Sequence, residues 1–523
     1  MQDDNITQPN EGQNIGNVEA QEKVPMASAS PPRRTGFKFW RTDTKEIRYE
    51  PLPVTDLAQG IVGWEGQDDP AMPFNFPAKR KWRWVVLLSA ITLLTPFASS
   101  ILGPAINTLD KEFHNDNEIV GSWTVSIYLL GYAVGPIIIA PLSEIYGRKP
   151  VLTAANVFFC LWQIGCALAP NIATLIVARF FSGAGGVACL TLGGVIVGDL
   201  FRPHQRGLAI GVWNLGPLLG PTIGPVLGGF ITKYPGWRYD FWIVLVVASI
   251  ISILIQALTQ ETSHKIIMAK KTALLNRESG QSDLKSCYDD SNGQNTQKLI
   301  ITSLIRPLKM LVLSPIVLLL SLYIAFVFGV IYLFYTTIPT VFEDVYGLSV
   351  ELSGLVYISL GVGNILGWIV CTFLSDALVV RQAQSNDGRF EPEMRLTISI
   401  YFGFFLPVTL FWYGWSAAKH APLASTLISL APYAFGSMGI FLPITTYIVD
   451  SHPTYGASAI AANVIFRSVV GALLPLAGPP LYNSLGLGWG NSLLGFICAA
   501  MIPLPLFFYK YGARLRAAER LKL

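Results

Sequence analysis

Two arginines stand inside long apolar stretches of the chain, Arg179 in 172–199 and Arg467 in 457–482. A charged side chain inside a bilayer costs about 2.5–3.5 kcal/mol on insertion scales, so both should face a bundle interior or water rather than lipid. A guanidinium there can grip a carboxylate with its planar fork or satisfy several backbone carbonyls. We therefore expect each arginine to be either a binding group for a small molecule or a structural clamp.

The predicted interior offers these arginines no opposite charge. No Asp, Glu, Lys or His falls well inside any predicted span. An interior with arginines as its only charges disfavours cations through repulsion and desolvation. The sequence therefore favours neutral or anionic small molecules as ligands, and it does not identify a group that could carry a proton.

Charged residues gather instead at one end of the predicted spans. Glu144, Arg148 and Asp199 fall at the ends of three consecutive spans, so they can converge. The alternative interpretation is a solvated loop whose basic residues only fix the orientation in the membrane.

The elements that would position these residues are transmembrane helices. The 523-residue chain is 52% hydrophobic and 13% charged, whereas soluble domains carry about 25% charged residues. Apolar runs of about 18 or more residues indicate membrane spans. Twelve such runs predict an all-α membrane protein: 84–105, 119–141, 151–169, 172–199, 208–231, 239–258, 315–340, 352–375, 396–416, 423–448, 457–482 and 489–509.

Polar segments divide the chain into regions. Residues 1–80 are rich in Asn, Gln, Pro and charge, which predicts a disordered cytoplasmic tail. No apolar stretch precedes residue 84, so we expect no cleavable signal peptide. The polar cytoplasmic loop 259–313 separates a six-helix half, 81–258, from a second half, 314–510, and a short tail, 511–523, follows.

The distribution of basic residues predicts the orientation. With both termini in the cytoplasm, the outer loops hold only four basic residues and 31 of the 37 Lys and Arg fall on the inner side. That asymmetry obeys the positive-inside rule. The formal charge of +4 then calls for no nucleic-acid partner.

Short matches between the halves indicate an internal duplication. Residues 142–144 (LSE) at the end of span 2 match residues 374–376 (LSD) at the end of span 8. Spans 5 and 11 both open with a segment that ends in Asn, at Asn214 and Asn463. Two halves related by an axis along the membrane normal, with a site between them near the midplane, are a transporter architecture.

Span 5 carries prolines and glycines at a four-residue spacing, in "GPLLGPTIGPVLGGF" (216–230). Each proline frees the carbonyl four residues earlier, and in a bundle a neighbouring helix or water must satisfy it. Glycines four residues apart form one stripe that allows close helix approach. We expect a kinked helix whose smooth face rocks against a partner, with plain packing as the alternative. The residues are Gly216, Pro217, Gly220, Pro221, Gly224, Pro225, Gly228 and Gly229.

Four motifs, in order, resemble those of the major facilitator superfamily. The segment "DDPAMPFNFPAKRKW" (68–82) is similar to the one before span 1 in fungal twelve-span drug:proton antiporters. "PLSEIYGRKPVL" (141–152) resembles the loop 2–3 signature, "ARFFSGAGG" (178–186) the span 4 motif and 216–230 the antiporter motif. Ala140 stands for the signature's first Gly and Glu144 for its Asp. The resemblance covers 68–510 and implies the major facilitator fold, with twelve transmembrane helices in two pseudo-symmetric halves.

The resemblance also implies roles for individual residues. It implies proton coupling for Arg179, and it implies that the loop 2–3 acid and arginine pair with the acid at the end of span 4 and face the N-terminus of span 11. A helix N-terminus attracts negative charge by about 0.3–1 kcal/mol, so this cluster would latch the halves in an outward-open state. The expected coupling and gating residues are Glu144, Gly147, Arg148, Lys149, Arg179 and Asp199.

Candidates for substrate contacts follow from span position. Span 7 is dense in aromatic residues, which combine apolar area with a polar handle. We expect most of them to pack or to face lipid. The expected cavity residues are Asn214, Tyr332, Asn364, Tyr433, Asn463 and Arg467.

The leading functional hypothesis is a proton antiporter in the plasma membrane that exports small amphipathic compounds, either xenobiotics or secondary metabolites. A carrier of small organic acids is the alternative, and a non-transporting nutrient sensor on the same fold is a remote third. No nucleophile–base set, phosphate-binding loop or zinc-type cysteine spacing appears, so we expect no enzyme activity, metal or cofactor. The expected partners are a small-molecule substrate, protons and the lipid bilayer, with no nucleic acid, and the protein is expected to be monomeric.

Overall fold

The computed structural model describes residues 52–202, 205–279, 284–288, 296–386, 391–452 and 456–518. The first half of the chain contains α1 Ala78–Ser100, α2 Ile106–Glu112, α3 Glu118–Tyr146, α4 Arg148–Ala167, α5 Ile172–Gly186, α6 Ala188–Leu200, α7 Arg206–Lys233 and α8 Arg238–Leu258. The connection between the halves contributes α9 His264–Ser279 and α10 Thr296–Leu313.

The second half repeats this arrangement. Its helices are α11 Pro315–Tyr346, α12 Val350–Leu355, α13 Tyr357–Ser385, α14 Leu396–Phe402, α15 Phe405–Ala418, α16 Leu423–Ser429, α17 Ala431–Ser451, α18 Gly456–Leu473, α19 Gly478–Met501 and α20 Pro503–Ala518.

These helices build twelve membrane crossings. Among the described residues, eleven stretches are long and apolar enough to span a bilayer, and the last of them, Ser458–Arg516, has 59 residues. A crossing needs only about 20 residues, and the backbone turns at Gly486 (φ 71°, ψ 171°). This stretch therefore crosses twice, which confirms the predicted all-α fold of twelve spans.

Helix packing explains the glycine stripe of α7. A Cβ added to Gly216 would lie 2.7 Å from Leu93 N, and one added to Gly220 would lie 2.5 Å from Leu93 O. At Gly228 it would lie 2.1 Å from Ile101 O. The stripe is therefore the contact between α7 and α1. Its partner belongs to the same half, so the stripe packs α7 on α1, as the alternative of plain packing expected. The idea of a face that rocks against a partner stays a prediction.

The prolines of α7 leave the helix continuous. Pro217, Pro221 and Pro225 all lie inside Arg206–Lys233. Pro225 frees the carbonyl of Pro221, and Ser100 Oγ of α1 donates a hydrogen bond to that oxygen at 2.8 Å. A neighbouring helix thus satisfies the freed group, as the bilayer requires.

A different face of α7 meets the second half of the bundle. A Cβ on Gly229 would lie 2.9 Å from Val350 O, and one on Gly354 would lie 2.6 Å from Pro225 O. A Cβ on Gly361 would lie 2.5 Å from Thr222 Cγ2. The inter-half contact of α7 therefore uses small residues outside the regular stripe, together with Gly229 at its end.

The segment 52–76 is folded, which corrects the prediction of a disordered tail over 1–80. Strand β1, Ile61–Val62, pairs in parallel with β2, Lys285–Ser286. Trp64 and Met72 are fully buried and pack on Met268 of α9. The composition of this segment did not predict its folding, because α9, the helix that buries Trp64 and Met72, lies about 200 residues later in the chain. Residues 1–51 lie outside the described residues.

The stripe gives a stability prediction with a matched control. We expect Gly228→Ala to lower the melting temperature of the purified protein, because overpacking against a backbone carbonyl costs about 1–3 kcal/mol. Gly211→Ala on the same helix has nothing within 4 Å of the added Cβ. It should leave the melting temperature unchanged or raise it, since Ala exceeds Gly in helix propensity by about 1 kcal/mol. Equal effects of the two substitutions would contradict the assigned α1–α7 contact.

Candidate functional site

Arg179 binds backbone, and its side chain is fully buried. Its Nε donates to Thr124 O at 2.9 Å, while Nη1 and Nη2 donate to Ala98 O at 2.6 Å and Ser99 O at 2.7 Å. The guanidinium carbon lies 4.8 Å from the ring centre of Tyr128. One side chain of α5 thus ties α1 to α3.

This geometry decides between the two expectations for Arg179. A side chain with no exposed surface does not line an accessible cavity, so in this conformation Arg179 is not a binding group for a small molecule. It is a clamp on carbonyls. Its role in proton coupling stays a prediction.

Asp240 is a buried acid that sequence reasoning missed. It lies in the first turn of α8 and has no exposed surface. Thr232 Oγ1 of α7 donates to its Oδ2 at 3.2 Å, and its Oδ1 is buried without a partner. Asp240 stands at the start of its span, so it does not contradict the expectation that no acid falls well inside a span; what the sequence did not reveal is its burial. Its place at the start of a predicted span suggested the rim, whereas the packing of α7 covers it.

A hydrogen-bonded path leads from the clamp to the second half. Ser99, whose carbonyl binds Arg179, donates its hydroxyl to Pro96 O at 2.6 Å. The hydroxyl of Tyr332 lies 2.9 Å from Ser99 Oγ and is therefore the donor of that pair. This bond joins α1 to α11 across the boundary between the halves.

Arg467 differs from Arg179 in its surroundings. It is partly exposed, and its guanidinium carbon lies 5.1 Å from the ring centre of Phe328. Its Nε is buried without a hydrogen-bond partner. Tyr332 of α11 and Tyr132 of α3 are close enough to act on its charge. In the described part of the chain no carboxylate pairs with Arg467. Its guanidinium therefore lies between the halves with a hydrogen-bond donor, Nε, that is not used.

Two of the asparagines predicted to line the cavity also have side-chain oxygens without hydrogen-bond partners. Asn463 precedes Arg467 by one helical turn of α18, which places both on one face. It is 2% exposed, Asn364 of α13 is 8% exposed, and the Oδ1 of each has no partner. Asn214 of α7 is partly exposed.

Two tyrosines from the expected cavity set are occupied elsewhere. Tyr332 is 3% exposed and bonds Ser99. Tyr433 is fully buried, and its hydroxyl donates to Val327 O at 3.0 Å within the second half. The prediction that Tyr433 contacts substrate is therefore wrong for this conformation, because its hydroxyl serves the packing of α17 on α11.

A carboxylate from outside the loop 2–3 signature organises the end of the bundle that carries Gly147, here called the Gly147 end. Glu261 Oε1 accepts from Arg148 N at 2.9 Å, and its Oε2 accepts from Lys149 N at 3.2 Å. Gly147 has φ 105°, and a Cβ there would lie 2.5 Å from Glu261 Oε2. Glycine is required both for this backbone conformation and for the approach of the acid.

Arg148 and Asp199 form the expected pair, with Nε and Oδ2 3.4 Å apart. Nη1 of Arg148 also donates to Ser143 Oγ at 2.7 Å. Lys149 Nζ donates to Thr259 O at 2.8 Å, at the end of α8. Glu144 is exposed and joins none of these contacts. The expected convergence is thus correct for Arg148 and Asp199 and wrong for Glu144, whose place Glu261 takes.

The second half carries a matching pair that sequence reasoning missed. Arg395 Nε, just before α14, lies 2.5 Å from Asp450 Oδ2 at the end of α17. Arg148 and Asp199 occupy the same places in the first half. Arg516 of α20 adds an ion pair to Glu393 at 3.2 Å. Aligning Asp199 with Asp450, the acids at the ends of α6 and α17, would have found this repeat. The side chain of Asp376, from the LSD match, lies outside the described residues.

The opposite end, here called the Glu351 end, is closed by contacts between the halves. Asn107 Nδ2 donates to Glu343 Oε2 at 2.8 Å, and Asn483 Nδ2 donates to Glu118 Oε2 at 3.1 Å. Lys233 of α7 pairs with Glu351 of α12. Each bond joins one half to the other, so separating the halves at this end must break them.

Comparisons with known proteins agree on the family. The family model described as Major Facilitator Superfamily matches residues 88–475. The chain is 44% identical over 460 residues to the MFS-type transporter atr4 of Stereocaulon alpinum, covering 88% of this chain and 83% of the relative. It is 40% identical over 500 residues to the efflux pump radE of Floropilus chiversii, covering 95% and 91%.

Solved structures show the same fold. A D-xylose-proton symporter superposes with a TM-score of 0.63 at 17% identity, covering 83% of this chain and 98% of that one. A bacterial homologue of the lysosomal transporter Spinster gives 0.59 at 16% identity, covering 85% and 99%. With twelve crossings in two similar halves, a matching family model and these relatives, the chain belongs to the Major Facilitator Superfamily.

Proposed function

We propose that this transporter exports small amphipathic compounds, xenobiotics or secondary metabolites, in exchange for protons. The observation that carries the proposal is Arg467, a partly exposed residue at the boundary between the halves whose Nε has no hydrogen-bond partner, with the unsatisfied Oδ1 of Asn463 on the same helix face. Buried polar groups without partners are costly, so these groups suit a ligand that brings its own hydrogen bonds. The relative named as an efflux pump supports the outward direction.

The two ends of the bundle support alternating access. At the Glu351 end, hydrogen bonds and one ion pair close the halves together. At the Gly147 end, the Arg148–Asp199 and Arg395–Asp450 pairs each act within one half. We infer that the two halves rock as rigid bodies and that, in this conformation, the bundle is open toward the Gly147 end. In the opposite conformation Asp199 could reach the N-terminus of α18.

Arg467 also defines the preferred ligand. A guanidinium without an acid partner favours a carboxylate or a neutral oxygen-rich compound over a cation. A carrier of small organic acids is the second candidate, favoured by the same side chain. Because the interior around Arg467 is aromatic, with Phe328 beside it, an amphipathic compound fits better than a small hydrophilic acid.

We place the Gly147 end and both termini in the cytoplasm of a plasma-membrane protein, from the excess of basic residues there. An impermeant maleimide applied to intact cells should label Tyr234→Cys, which is 74% exposed beyond α7, and should not label Glu144→Cys. Permeabilised cells should label both, and the unsubstituted protein gives the background. Labelling of Glu144→Cys alone in intact cells would reverse the orientation.

The export test uses cells with and without the protein, loaded with fluorescein as the anion and a rhodamine ester of similar shape as the cation. We expect expressing cells to lose fluorescein faster, and a protonophore to abolish the difference because it removes the driving gradient. Export that continues undiminished after the gradient collapses would reject proton antiport. If both cell lines retain both dyes equally, the alternative of a carrier for small organic acids remains. Export of radiolabelled benzoate from the same cells would test that alternative.

The two arginines should respond differently to truncation. Arg467→Ala should raise the KM for fluorescein roughly ten-fold, because a hydrogen bond to a charged group contributes about 1.5–3 kcal/mol. Arg467→Lys should recover only part of the lost affinity, because Lys lacks the planar fork of Arg. Arg179→Ala should instead reduce the amount of folded protein, because it removes the hydrogen bonds by which α5 holds the carbonyls of Ala98, Ser99 and Thr124. Unchanged fluorescein kinetics in Arg467→Ala would assign Arg467 to packing.

A further inference from the structure

The segment 52–76 is docked by specific contacts. Trp64 has no exposed surface, and its indole Nε1 donates to Tyr288 OH at 3.0 Å. Cys287 N donates to Val62 O at 2.9 Å, which continues the β1–β2 pairing. Lys271 of α9 binds both Gly63 O at 3.3 Å and the carboxylate of Glu65 at 3.2 Å. A buried tryptophan, strand pairing and an ion pair together define one binding mode for this segment on α9.

His264 connects this docked segment to the charged cluster at the Gly147 end. Its ring meets Phe74 edge-on at 4.8 Å and Trp64 at 6.1 Å. Its Nε2 lies 3.0 Å from the backbone oxygen of Asp199, and a carbonyl only accepts, so Nε2 carries the proton. Burial lowers the pKa of His264, which favours this neutral form.

The residues just before His264 hold the same cluster from the other side. Glu261 accepts from the backbone of Arg148 and Lys149, and Thr262 Oγ1 lies 3.5 Å from Asp199 Oδ2. Trp84 of α1 donates to Gln260 O at 3.1 Å. The short segment 260–264 thus touches α1, α4 and α6, and the docked segment lies on its C-terminal side.

We propose that residues 52–76 form a clasp that holds segment 260–264 in place, and that Trp64 and His264 are thereby positioning residues for the Arg148–Asp199 pair. The clasp acts through the backbone of Asp199, and among the described residues none of its hydrogen bonds or ring contacts reaches the expected cavity. It therefore sets how fast Asp199 exchanges between its pair with Arg148 and the N-terminus of α18 during a cycle, and leaves substrate affinity alone. Its kinetic readout rests on the proposed export function.

The docking itself is tested without transport. Ile61 and Lys285 are paired residues of the parallel strands, and strand spacing of about 4.8 Å suits a disulfide. In a Cys287→Ser background, the Ile61→Cys/Lys285→Cys protein should cross-link on mild oxidation, and adding Trp64→Ala should slow cross-linking. Cross-linking that Trp64→Ala leaves unchanged would overturn the clasp, whatever the protein transports.

The functional test uses proteoliposomes with fluorescein as the substrate. Trp64→Ala should lower the maximal rate at least about five-fold, the low end of typical coupling between sites, with KM unchanged. Oxidising the cysteine pair in the Trp64→Ala protein should restore the rate, and a reductant should remove that rescue. Trp489→Ala, the same change at a residue that is 59% exposed, is the matched control.

Each other outcome of this comparison contradicts the proposal. A raised KM at constant maximal rate would make the clasp part of substrate binding, and a failed rescue by the disulfide would make Trp64 a purely structural residue. If Trp64→Ala does not reach the membrane, His264→Ala takes its place, because it breaks the link to Asp199 while Trp64 still packs on Met268. An unchanged rate in His264→Ala would then overturn the proposal.

Discussion

The structure depends on one constraint: inside a bilayer every backbone polar group needs a partner from the protein or from ordered water. Arg179 meets it by donating to carbonyls of both α1 and α3. Ser100 meets it for the carbonyl freed by Pro225. These side-chain bonds, rather than ion pairs, fix α1, α3, α5 and α7 against one another. A charge that costs energy to insert is thereby made to stabilise the helices around it.

The same contacts separate rigid regions from mobile ones. Within the first half, the glycine stripe brings α7 so close to α1 that no side chain fits between them. Between the halves, α7 packs closely on α12 and α13 through small residues such as Gly229 and Gly354. The polar joints are the hydroxyl pair of Ser99 with Tyr332 and the contacts at the Glu351 end. Such bonds exchange readily for bonds to water when an end opens. Clamps and close packing inside the first half, with small residues and exchangeable polar bonds at the boundary, suit movement of two bodies about that boundary.

Sequence reasoning succeeded where a local pattern determines the outcome. Apolar length placed the spans, and the proline spacing identified a helix that needs outside donors. It failed where the partner is distant in the chain. The stripe's periodicity gave a face but not its neighbour, α1. Glu261 took the position expected for Glu144, and Trp64 found its burial partner in α9. The position of Asp240 at the start of a span predicted an exposed residue at the rim, whereas α7 packs over it. Partners of this kind follow from the packing of the whole bundle, which no window of sequence contains.

Movement of the halves as two bodies is the central claim, and spin-label distances at both ends test it most directly. One pair, Glu144→Cys with Gln384→Cys, reports the Gly147 end, and another, Tyr234→Cys with Lys419→Cys, reports the opposite end; all four positions are exposed. Between neutral and acidic buffer with fluorescein present, the two distances should change in opposite directions. Distances that rise and fall together, or a larger change between labels within one half, would contradict the account.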